Sequence, residues 1–285
     1  MLTSLFKHSL RALRRQKAYV FINVLGLAIG IACTLIIALF IFHELSFDEY
    51  HEKKDRLYRV ILHGKLGGQE LQVTSTAAPI GPTMLNEFPE VEDFLRINGR
   101  WEVPFKYNDK HFIEKYYIEA DSSFFSFFSI PLLKGDQKTV LNEKYTAVIS
   151  ESLADRVFGD EDPMNKMLKI GNEETLYKVT GVMQDIPENT HFRANLITSF
   201  MTNDRSSDDE WLSNSFDTYV LLHPNSRPEE ADARFAGMIE KYVGPRVKKI
   251  FGTDIEDFLD QGNIYRRYLQ PLGDIHLNPD IEQDL

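Results

Sequence analysis

The sequence predicts an α+β protein that begins with one membrane-spanning helix and continues as a mixed domain of strands and helices. Three observations predict this class. Residues 18–43 contain no Asp, Glu, Lys or Arg. Beyond them, apolar runs of strand length alternate with helical patterns. The chain also has 20 Phe, 12 Tyr and 2 Trp, which is enough aromatic surface for a packed core and excludes wholesale disorder.

Length, charge and cysteine content narrow the class further. The 285 residues fit one large domain or two small ones plus an additional segment. A single cysteine excludes an intrachain disulfide and a four-thiolate metal site. The formal net charge of −11 argues against nucleic-acid binding, which requires a basic surface.

The first 17 residues carry positive charge and no acidic residue. Because cations flank the cytoplasmic end of a span, they place the N-terminus in the cytoplasm and residues 44–285 outside it. The apolar residues of 2–16 fall on one helical face, so residues 1–17 are either a basic amphipathic helix at the lipid interface or a plain topogenic leader. The five cations are Lys7, Arg11, Arg14, Arg15 and Lys17.

Residues 18–43 predict a transmembrane helix. The 25 residues from Ala18 to Phe42 would span roughly 37 Å as a helix, enough to cross the hydrocarbon core. A buried helix of a soluble protein would show a polar face. A cleaved signal peptide would be followed by small residues, whereas His43 and Glu44 follow here, so the segment is interpreted as a retained anchor. Cys33 within it is interpreted as a small packing residue.

Gly26 and Gly30 form a small-xxx-small pair within this span. The spacing places both glycines on one helix face, where a second helix can approach closely. Glycine is also common in membrane helices that make no such contact. Helix packing and ordinary composition both remain open interpretations of the pair.

The first half of the outer domain predicts strands at 57–63, 101–107 and 111–118. Residues 78–95 have a helical pattern with breaks at Pro82 and Pro89, and the first helix should end at Phe88. The segment DSSFFSFFSIPLLKGD, residues 121–136, is the most aromatic stretch. Because no cations lie among its aromatic residues, it is interpreted as core rather than as a stacking platform.

The second half predicts a strand at 146–150, a helix from Ser150 to Phe158 ended by Gly159, and a hairpin of 166–170 with 175–183. A strand at 217–222 precedes a capping box of Ser226 and Glu229. The helix after it should run to Val243 and end at Gly244 and Pro245. With a final extended segment at 268–277, the order indicates one α+β layer interrupted by an inserted α/β module.

Motifs of catalysis and cofactor binding are missing from the sequence. It has no phosphate-binding loop, H-E-x-x-H, C-x-x-C or G-x-S-x-G, so we expect no cofactor in this chain and ATP bound by a separate subunit. Its eight histidines show no metal-ligand spacing, so no metal site is expected. Two acidic runs are interpreted as solvated surface: Asp48, Glu49, His51 and Glu52, and Asp160, Glu161 and Asp162.

Several longer segments together resemble one protein family. RALRRQKAYVFINVLGLAIGIAC and ELSFDEYHEKKDRLYRV are similar to the first membrane helix and its connection in the permease subunits of the MacB/FtsX type, the partners of ABC ATPases. FFSFFSIPLLKGD, AVISESLADRVFGDEDPMNKMLKI and YKVTGVMQDIPENTHF resemble the periplasmic core domain of these permeases, particularly the versions in Bacteroidetes.

The resemblance implies a split ferredoxin-like "porter" layer at about 50–97 and 214–278, with a smaller α/β "Sabre" subdomain inserted at about 98–213. It implies a non-catalytic permease subunit in the cell inner membrane. A separate cytoplasmic ATPase would drive movement of the periplasmic domain. It further implies a second permease copy in a dimer, a periplasmic partner and the lipid bilayer as surroundings.

The family's permeases have at least three more membrane helices after this domain, whereas the sequence stops at Leu285. We therefore expect a fragment or truncated product. The alternative is a single-pass, membrane-anchored interaction or sensor module, which the downstream reading frame would distinguish. An anchored hydrolase is not favoured, since no nucleophile and base are recognisable.

Overall fold

The structure, a computed structural model, describes residues 17–99, 102–278 and 281. The chain divides into two units, one ending at Ser46 and one beginning at Phe47. The predicted amphipathic segment 2–16 lies outside the described residues. The same holds for four of the five predicted topology cations, namely Lys7, Arg11, Arg14 and Arg15.

The first unit contains one long helix, α1, Lys17–Glu44. Its 28 residues are long and apolar enough to cross a membrane, and none of its side chains is buried within the protein. Two further backbone hydrogen bonds continue the turns past its last residue, from Leu45 to Ile41 and from Ser46 to His43. The predicted span at 18–43 lies within α1.

The second unit is built on one mixed sheet, in which the described residues contribute fourteen strands. Most neighbouring strands run antiparallel, and two pairs run parallel, β7 with β12 and β9 with β11. The strands are β1 Leu57–Leu66, β2 Gln69–Val73, β3 Ser75–Ala77, β4 Val91–Gly99, β5 Val103–Tyr107, β6 Lys110–Glu114, β7 Tyr117–Ala120, β8 Leu132–Lys134, β9 Thr146–Ser150, β10 Met167–Ile170, β11 Thr175–Met183, β12 Leu196–Ser199, β13 Asn214–Leu222 and β14 Ile264–Pro271.

The strand order is β14-β1-β13-β4-β7-β12-β9-β11-β10-β5-β6, with β2 beside β1, β3 beside β13 and β8 beside β11. Strands from the two ends of the domain sequence therefore lie together, and strands from its middle follow them. The two groups meet where β4 pairs with β7 over three residue pairs, Ile97 to Gly99 with Ile118 to Ala120. The subdomain boundaries predicted above stay a prediction.

Side chains alternate between two cores on opposite faces of the sheet, as the two-residue period of a strand requires. In β13, Tyr219 and Leu221 join one cluster with the aromatic stretch, and Val220 and Leu222 join another with the helices. A third cluster packs against the middle strands around Leu153 and Phe158. The predicted core role of the aromatic stretch is confirmed, because Phe124, Phe125, Phe127 and Phe128 are all buried.

Helices and short helical turns cover the sheet. The α-helices of this unit are α2 Ile80–Glu87, α3 Phe124–Phe127, α4 Glu151–Phe158, α5 Pro228–Met238, α6 Gly244–Phe251 and α7 Ile255–Asp260. A π-helical turn, Ile239–Val243, joins α5 to α6. Short 3-10 turns lie at Lys54–Arg56, Phe200–Thr202, Asp204–Ser207 and Leu272–Asp274.

Two of the predicted elements formed for the expected reasons. Ser150 caps α4 by accepting a hydrogen bond from the backbone of Leu153, and Gly159 follows the helix with a positive φ. The hairpin is formed by β10 and β11 around Gly171, whose φ is 80°.

Other boundaries were wrong. The helical pattern at 78–95 ends at Glu87, and the residues after Pro89 form β4 because they pair with β13 on one side and β7 on the other. Residues 111–118 divide between two strands, β6 and β7, and the final extended segment ends at Pro271.

The predicted capping box and helix end near residues 226–245 were also wrong. Arg227 precedes α5 without any side-chain cap, so Ser226 does not fill that position. Gly244 and Pro245 open α6 instead of ending a helix, since proline in a first turn loses no hydrogen bond. A Cβ added at Gly244 would meet Cγ2 of Ile255 at 3.4 Å, an ordinary van der Waals distance, so this position packs against α7 without requiring glycine.

Candidate functional site: a buried carboxylate between two imidazoles

The second unit begins with a buried cluster of three ionisable side chains, Asp48, His51 and His191, called here the carboxylate–imidazole cluster. Each side chain is at most 1% exposed. Asp48 and His51 belong to the segment that follows α1, whereas His191 comes from the loop between β11 and β12. The cluster therefore joins two segments that are far apart in sequence.

Asp48 occupies the centre of the cluster. Its Oδ1 lies 2.9 Å from Nδ1 of His191 and 3.5 Å from Nε2 of His51. The other ring nitrogen of His191, Nε2, lies 2.9 Å from the hydroxyl of Tyr219 on β13. A chain of polar contacts therefore runs from the segment behind α1 through the loop to the sheet.

A hydrogen bond from the backbone N–H of Ser129 orients the ring of His51. This N–H donates to Nδ1 of His51 at 3.1 Å, so Nδ1 acts as an acceptor. The other ring nitrogen, Nε2, is the one that faces Asp48. Ser129 follows the aromatic stretch, so the same bond ties that stretch to the cluster.

The surroundings of Asp48 favour its ionised form. Burial by itself raises the pKa of this carboxyl, but the charge of His191 and hydrogen bonding to both histidines outweigh burial. They hold the pKa well below its usual range. The cluster thus contains a carboxylate that stays charged although water is excluded from it.

The backbone of Asp48 adopts an unusual conformation. Its φ is 58°, in the left-handed region that Asp tolerates better than most residues with a side chain. Its N–H donates to the carbonyl oxygen of Asn189 at 2.9 Å. The turn directs the chain into the domain immediately after Phe47, whose ring stacks on His276 with centroids 3.4 Å apart.

Aromatic rings enclose the cluster. The ring centroid of Phe128 lies 5.1 Å from that of His51 and 5.9 Å from that of His191. Phe192 and Tyr219 pack against the same ring at 4.7 and 5.5 Å. This apolar enclosure explains why the carboxylate is buried and why it requires its two polar neighbours.

The cluster is suited to positioning the chain. All three side chains are buried, so a substrate has no direct access to them in this conformation. In the described part of the chain, no group of three or more His, Cys, Asp and Glu side chains is arranged to hold a metal ion. The geometry therefore indicates a structural clamp on the segment behind α1.

The predicted helix-packing residues Gly26 and Gly30 lie on α1 with open space around them. A Cβ added at either glycine would meet no atom within 4 Å. They lie with Leu27, Ile31 and Thr34 along a shallow groove of the helix surface. Lys17 is the first residue of α1, and it is exposed. Their roles in packing and topology stay predictions.

The prediction of a solvated surface for Asp48, Glu49, His51 and Glu52 was wrong for two residues. Glu49 and Glu52 are exposed, but Asp48 and His51 are buried because the left-handed turn directs them inward. Asp160, Glu161 and Asp162 are exposed as predicted, and Asp162 pairs with Lys134 at 2.8 Å.

Sequence reasoning missed His191 completely. The i,i+3 spacing of Asp48 and His51 was visible, but nothing local connects them to a histidine in another loop. One signal was available: both segments, ELSFDEYH and IPENTHF, belong to the parts of the sequence quoted above for their family resemblance.

Comparison with known proteins gave a consistent result. The family model described as the MacB-like periplasmic core domain matches residues 20–237, which include most of α1 and the carboxylate–imidazole cluster. A comparison with curated proteins gave no significant match.

Among solved structures, a domain of a permease protein from Porphyromonas gingivalis superimposes with a TM-score of 0.65 at 24% sequence identity, covering 78% of this chain and 91% of that one. The periplasmic region of MacB from Actinobacillus actinomycetemcomitans gives a TM-score of 0.47 at 12% identity, covering 79% and 92%. The extracellular domain of the noncanonic ABC-type transporter YknZ from Gram-positive bacteria gives 0.46 at 12% identity, covering 75% and 99%.

Proposed function

Because the chain belongs to the family of the MacB-like periplasmic core domain, we propose that it is a non-catalytic permease component of an ABC transporter. Domains of this family belong to permeases that work with a cytoplasmic ATPase. In the proposed mechanism, a separate ATPase binds and hydrolyses ATP, α1 moves with it, and the mixed domain moves in response. This chain supplies the moving part and carries out no covalent chemistry.

The match across both units is the observation that supports this function most strongly, since it includes most of the apolar helix and a large part of the mixed domain. Local geometry adds a second argument. Only Leu45, Ser46 and Phe47 separate the last residue of α1 from buried Asp48. A connection this short leaves little slack, so a displacement of the helix end would reach the carboxylate–imidazole cluster.

The proposal includes a location and partners. An N-terminal apolar helix and a periplasmic-type domain describe a membrane-anchored protein. We place it in the cell inner membrane with its N-terminus in the cytoplasm and residues 44–285 in the periplasm. The proposed partners are the ABC ATPase, a second permease copy that contacts α1 at Gly26 and Gly30, and a periplasmic protein.

Capture of the partner tests the core of the proposal. The full chain, tagged and expressed in its native host, is purified from the membrane fraction, and co-purifying proteins are identified by mass spectrometry. We expect an ABC ATPase in the eluate together with ATP hydrolysis that vanadate inhibits. An eluate without any ABC ATPase would refute the permease assignment.

Enlarging the two glycines tests the role of the helix face. In the double variant Gly26→Leu with Gly30→Leu, we expect retained ATP binding by the complex but loss of coupled ATP hydrolysis, since bulky side chains keep a neighbouring helix away. Gly26→Ala with Gly30→Ala is the matched control, because both positions stay small and a neighbouring helix can still approach. Equal losses in both variants would contradict a specific glycine face.

Labelling from one side of the membrane tests the orientation. In a Cys33→Ser background, Glu49→Cys introduces a thiol at an exposed position just beyond α1. We expect a membrane-impermeant maleimide to label it in intact spheroplasts, in which the periplasmic side is accessible. Labelling only after the spheroplasts are lysed would place the domain in the cytoplasm and overturn the proposed topology.

A further inference from the structure

A cavity of about 800 Å³ lies between the helical layer and the edge strand β14. Its volume is in the range of small-molecule binding sites, roughly 300–1,000 Å³. Residues of α5, the π-helical turn, α7 and β14 line it, and most of the lining surface is apolar. The side chains that define it are Phe235, Ile239, Ile255, Leu259, Tyr265 and Arg267.

Arg267 gives this apolar cavity one buried positive charge. The residue is 2% exposed, and its Nη2 donates to Oδ1 of Asn214 at 2.8 Å and to the hydroxyl of Tyr265 at 3.1 Å. Both acceptors are neutral. Nη1 has no hydrogen-bond partner among the residues the structure describes. A buried guanidinium without an anion is unfavourable, so an anionic group in the cavity would compensate it.

The remaining charges of the cavity limit what that anion can be. Glu240 and Glu256 are exposed lining residues that carry negative charge at the solvent side. Asp232, also in the lining, is half-buried, and its Oδ1 accepts a hydrogen bond from the backbone of Leu269. With these three carboxyl groups and exposed Arg266, the lining charges other than Arg267 are net negative, which disfavours a ligand with several negative charges, such as a phosphate dianion.

The helical wall of the cavity departs from regular α-helix. The π-helical turn Ile239–Val243 contributes Ile239 and Glu240 to the lining. Single π-helical turns are rare and are frequently found at functional sites, where they displace the helix surface. At this position the wider turn lies directly beside the buried arginine's cavity.

From the volume, the apolar lining and the one uncompensated cation, we propose that this cavity binds an aliphatic carboxylate. Nη1 of Arg267, which is closed to solvent in this structure, turns toward the cavity and donates to the carboxylate, and the aliphatic chain lies against Phe235, Ile239 and Leu259. A single negative charge matches the one buried guanidinium of the lining and tolerates the acidic residues beside it. This site is separate from the carboxylate–imidazole cluster and does not depend on the proposed transport function.

Photo-crosslinking of the full chain in lipid nanodiscs tests the proposal. The probe is a ten-carbon carboxylic acid with a diazirine near its far end, and the matched probe is the amine of the same chain. Labelled peptides are mapped by mass spectrometry. We expect the acid to label residues of α5 or α7 and the amine to leave them unlabelled. Label on α1 reports partitioning of either probe into the lipid.

Two variants determine whether Arg267 is responsible. Arg267→Gln keeps a donor for Asn214 and removes the charge, so labelling of the cavity should fall about 10- to 100-fold while labelling of α1 is unchanged. Lys249→Gln, at an exposed position of α6 outside the cavity lining, should label like the wild type. Ala236→Phe fills the cavity from α5 and should also suppress labelling, which decides the matter if Arg267→Gln does not fold.

The proposal is overturned by any of three results. The cavity residues are not labelled when α1 is labelled, the amine labels them as strongly as the acid, or Arg267→Gln and Ala236→Phe both label like the wild type.

Discussion

Arg96 and Arg267 are both buried arginines on strands of the same sheet, and their surroundings differ. Arg96, on β4, pairs with Asp121 through Nε and Nη2 at 2.9 and 3.0 Å. Its Nη1 donates to the carbonyl oxygens of Ala78 and Ser206. Arg267, on β14, has two neutral acceptors and an Nη1 without a partner among the described residues.

The comparison shows how a buried charge with a structural role can be distinguished from one available to a ligand. Every nitrogen of the Arg96 guanidinium donates to an acceptor of the fold. Asp48 is intermediate, because its Oδ1 faces two imidazoles while its Oδ2 has no hydrogen-bond partner among the described residues. Arg267 is buried more deeply, 2% exposed against 9% for Arg96, but its Nη1 has no partner among the described residues. Four expected outcomes test this distinction, ordered by the size of the effect.

The largest effect is expected from removing the carboxylate of Asp48. In Asp48→Ala, two buried imidazoles lose their anion and the left-handed turn loses a tolerant residue, so the free energy of unfolding should fall by about 3–5 kcal/mol. Urea unfolding of the full chain in detergent, followed by tryptophan fluorescence, measures the change. Glu49→Gln, at an exposed neighbouring position, is the control and should unfold like the wild type. Equal stability of the two variants would contradict the clamp.

The next effect is expected at Arg96. Arg96→Gln leaves the carboxylate of Asp121 half-satisfied and removes donors from two buried carbonyl groups, so we expect a loss of about 2–3 kcal/mol. The same urea unfolding experiment measures it. Adding Asp121→Asn to the variant should restore part of the loss, because the stranded charge is then removed. A double variant that is less stable than the single one would argue against this account.

Lowering the pH should have a smaller effect on the stability of the fold. The pKa of Asp48 is lower in the folded chain than in the unfolded chain, so the unfolded chain binds this proton more readily. The stability that the carboxylate contributes is complete above the usual Asp pKa of about 4 and is lost as the pH falls below it. The melting temperature of the wild type should therefore fall more steeply between pH 4.5 and pH 3 than that of Asp48→Asn. Parallel curves would contradict the lowered pKa.

The smallest effect on stability is expected at Arg267. Replacing an uncompensated buried charge with Gln removes a cost of burial, so the melting temperature of Arg267→Gln should equal or exceed that of the wild type in the absence of ligand. Differential scanning fluorimetry, run beside Arg96→Gln, measures both arginines under one condition. A loss at Arg267 as large as that at Arg96 would mean that both arginines are structural.

Local sequence signals were sufficient for elements whose cause is local. The charge-free run gives α1, Ser150 and Gly159 delimit α4, and Gly171 permits the turn of the hairpin. Local signals gave wrong predictions where one residue is compatible with two different structures. Pro245 is compatible with the residue after a helix and with the first turn of one, and the structure places it in the first turn of α6.

The functional features needed tertiary information. The sequence predicted that Asp48 and His51 are exposed to solvent. Nothing nearby in the sequence shows that His191, Tyr219 and Phe128 surround them. Arg267 directly precedes the extended segment predicted at 268–277, and nothing near it in the sequence indicates a cavity, because the helices that line the cavity come earlier in the sequence. Pairing across such distances depends on the packing of the whole sheet, which a single sequence does not reveal.

The short pairing between β4 and β7 makes the contacts of Arg96 important for the junction between the two groups of strands. Three residue pairs join the strands from the two ends of the domain to those from its middle. Arg96 bridges this seam, since Asp121 directly follows β7 and Ser206 follows β12. Amide protons at this junction should therefore exchange with solvent earlier than those in the longer ladder of β1 with β14. In Arg96→Gln the difference should widen, marking where torsional stress would first separate the two groups of strands.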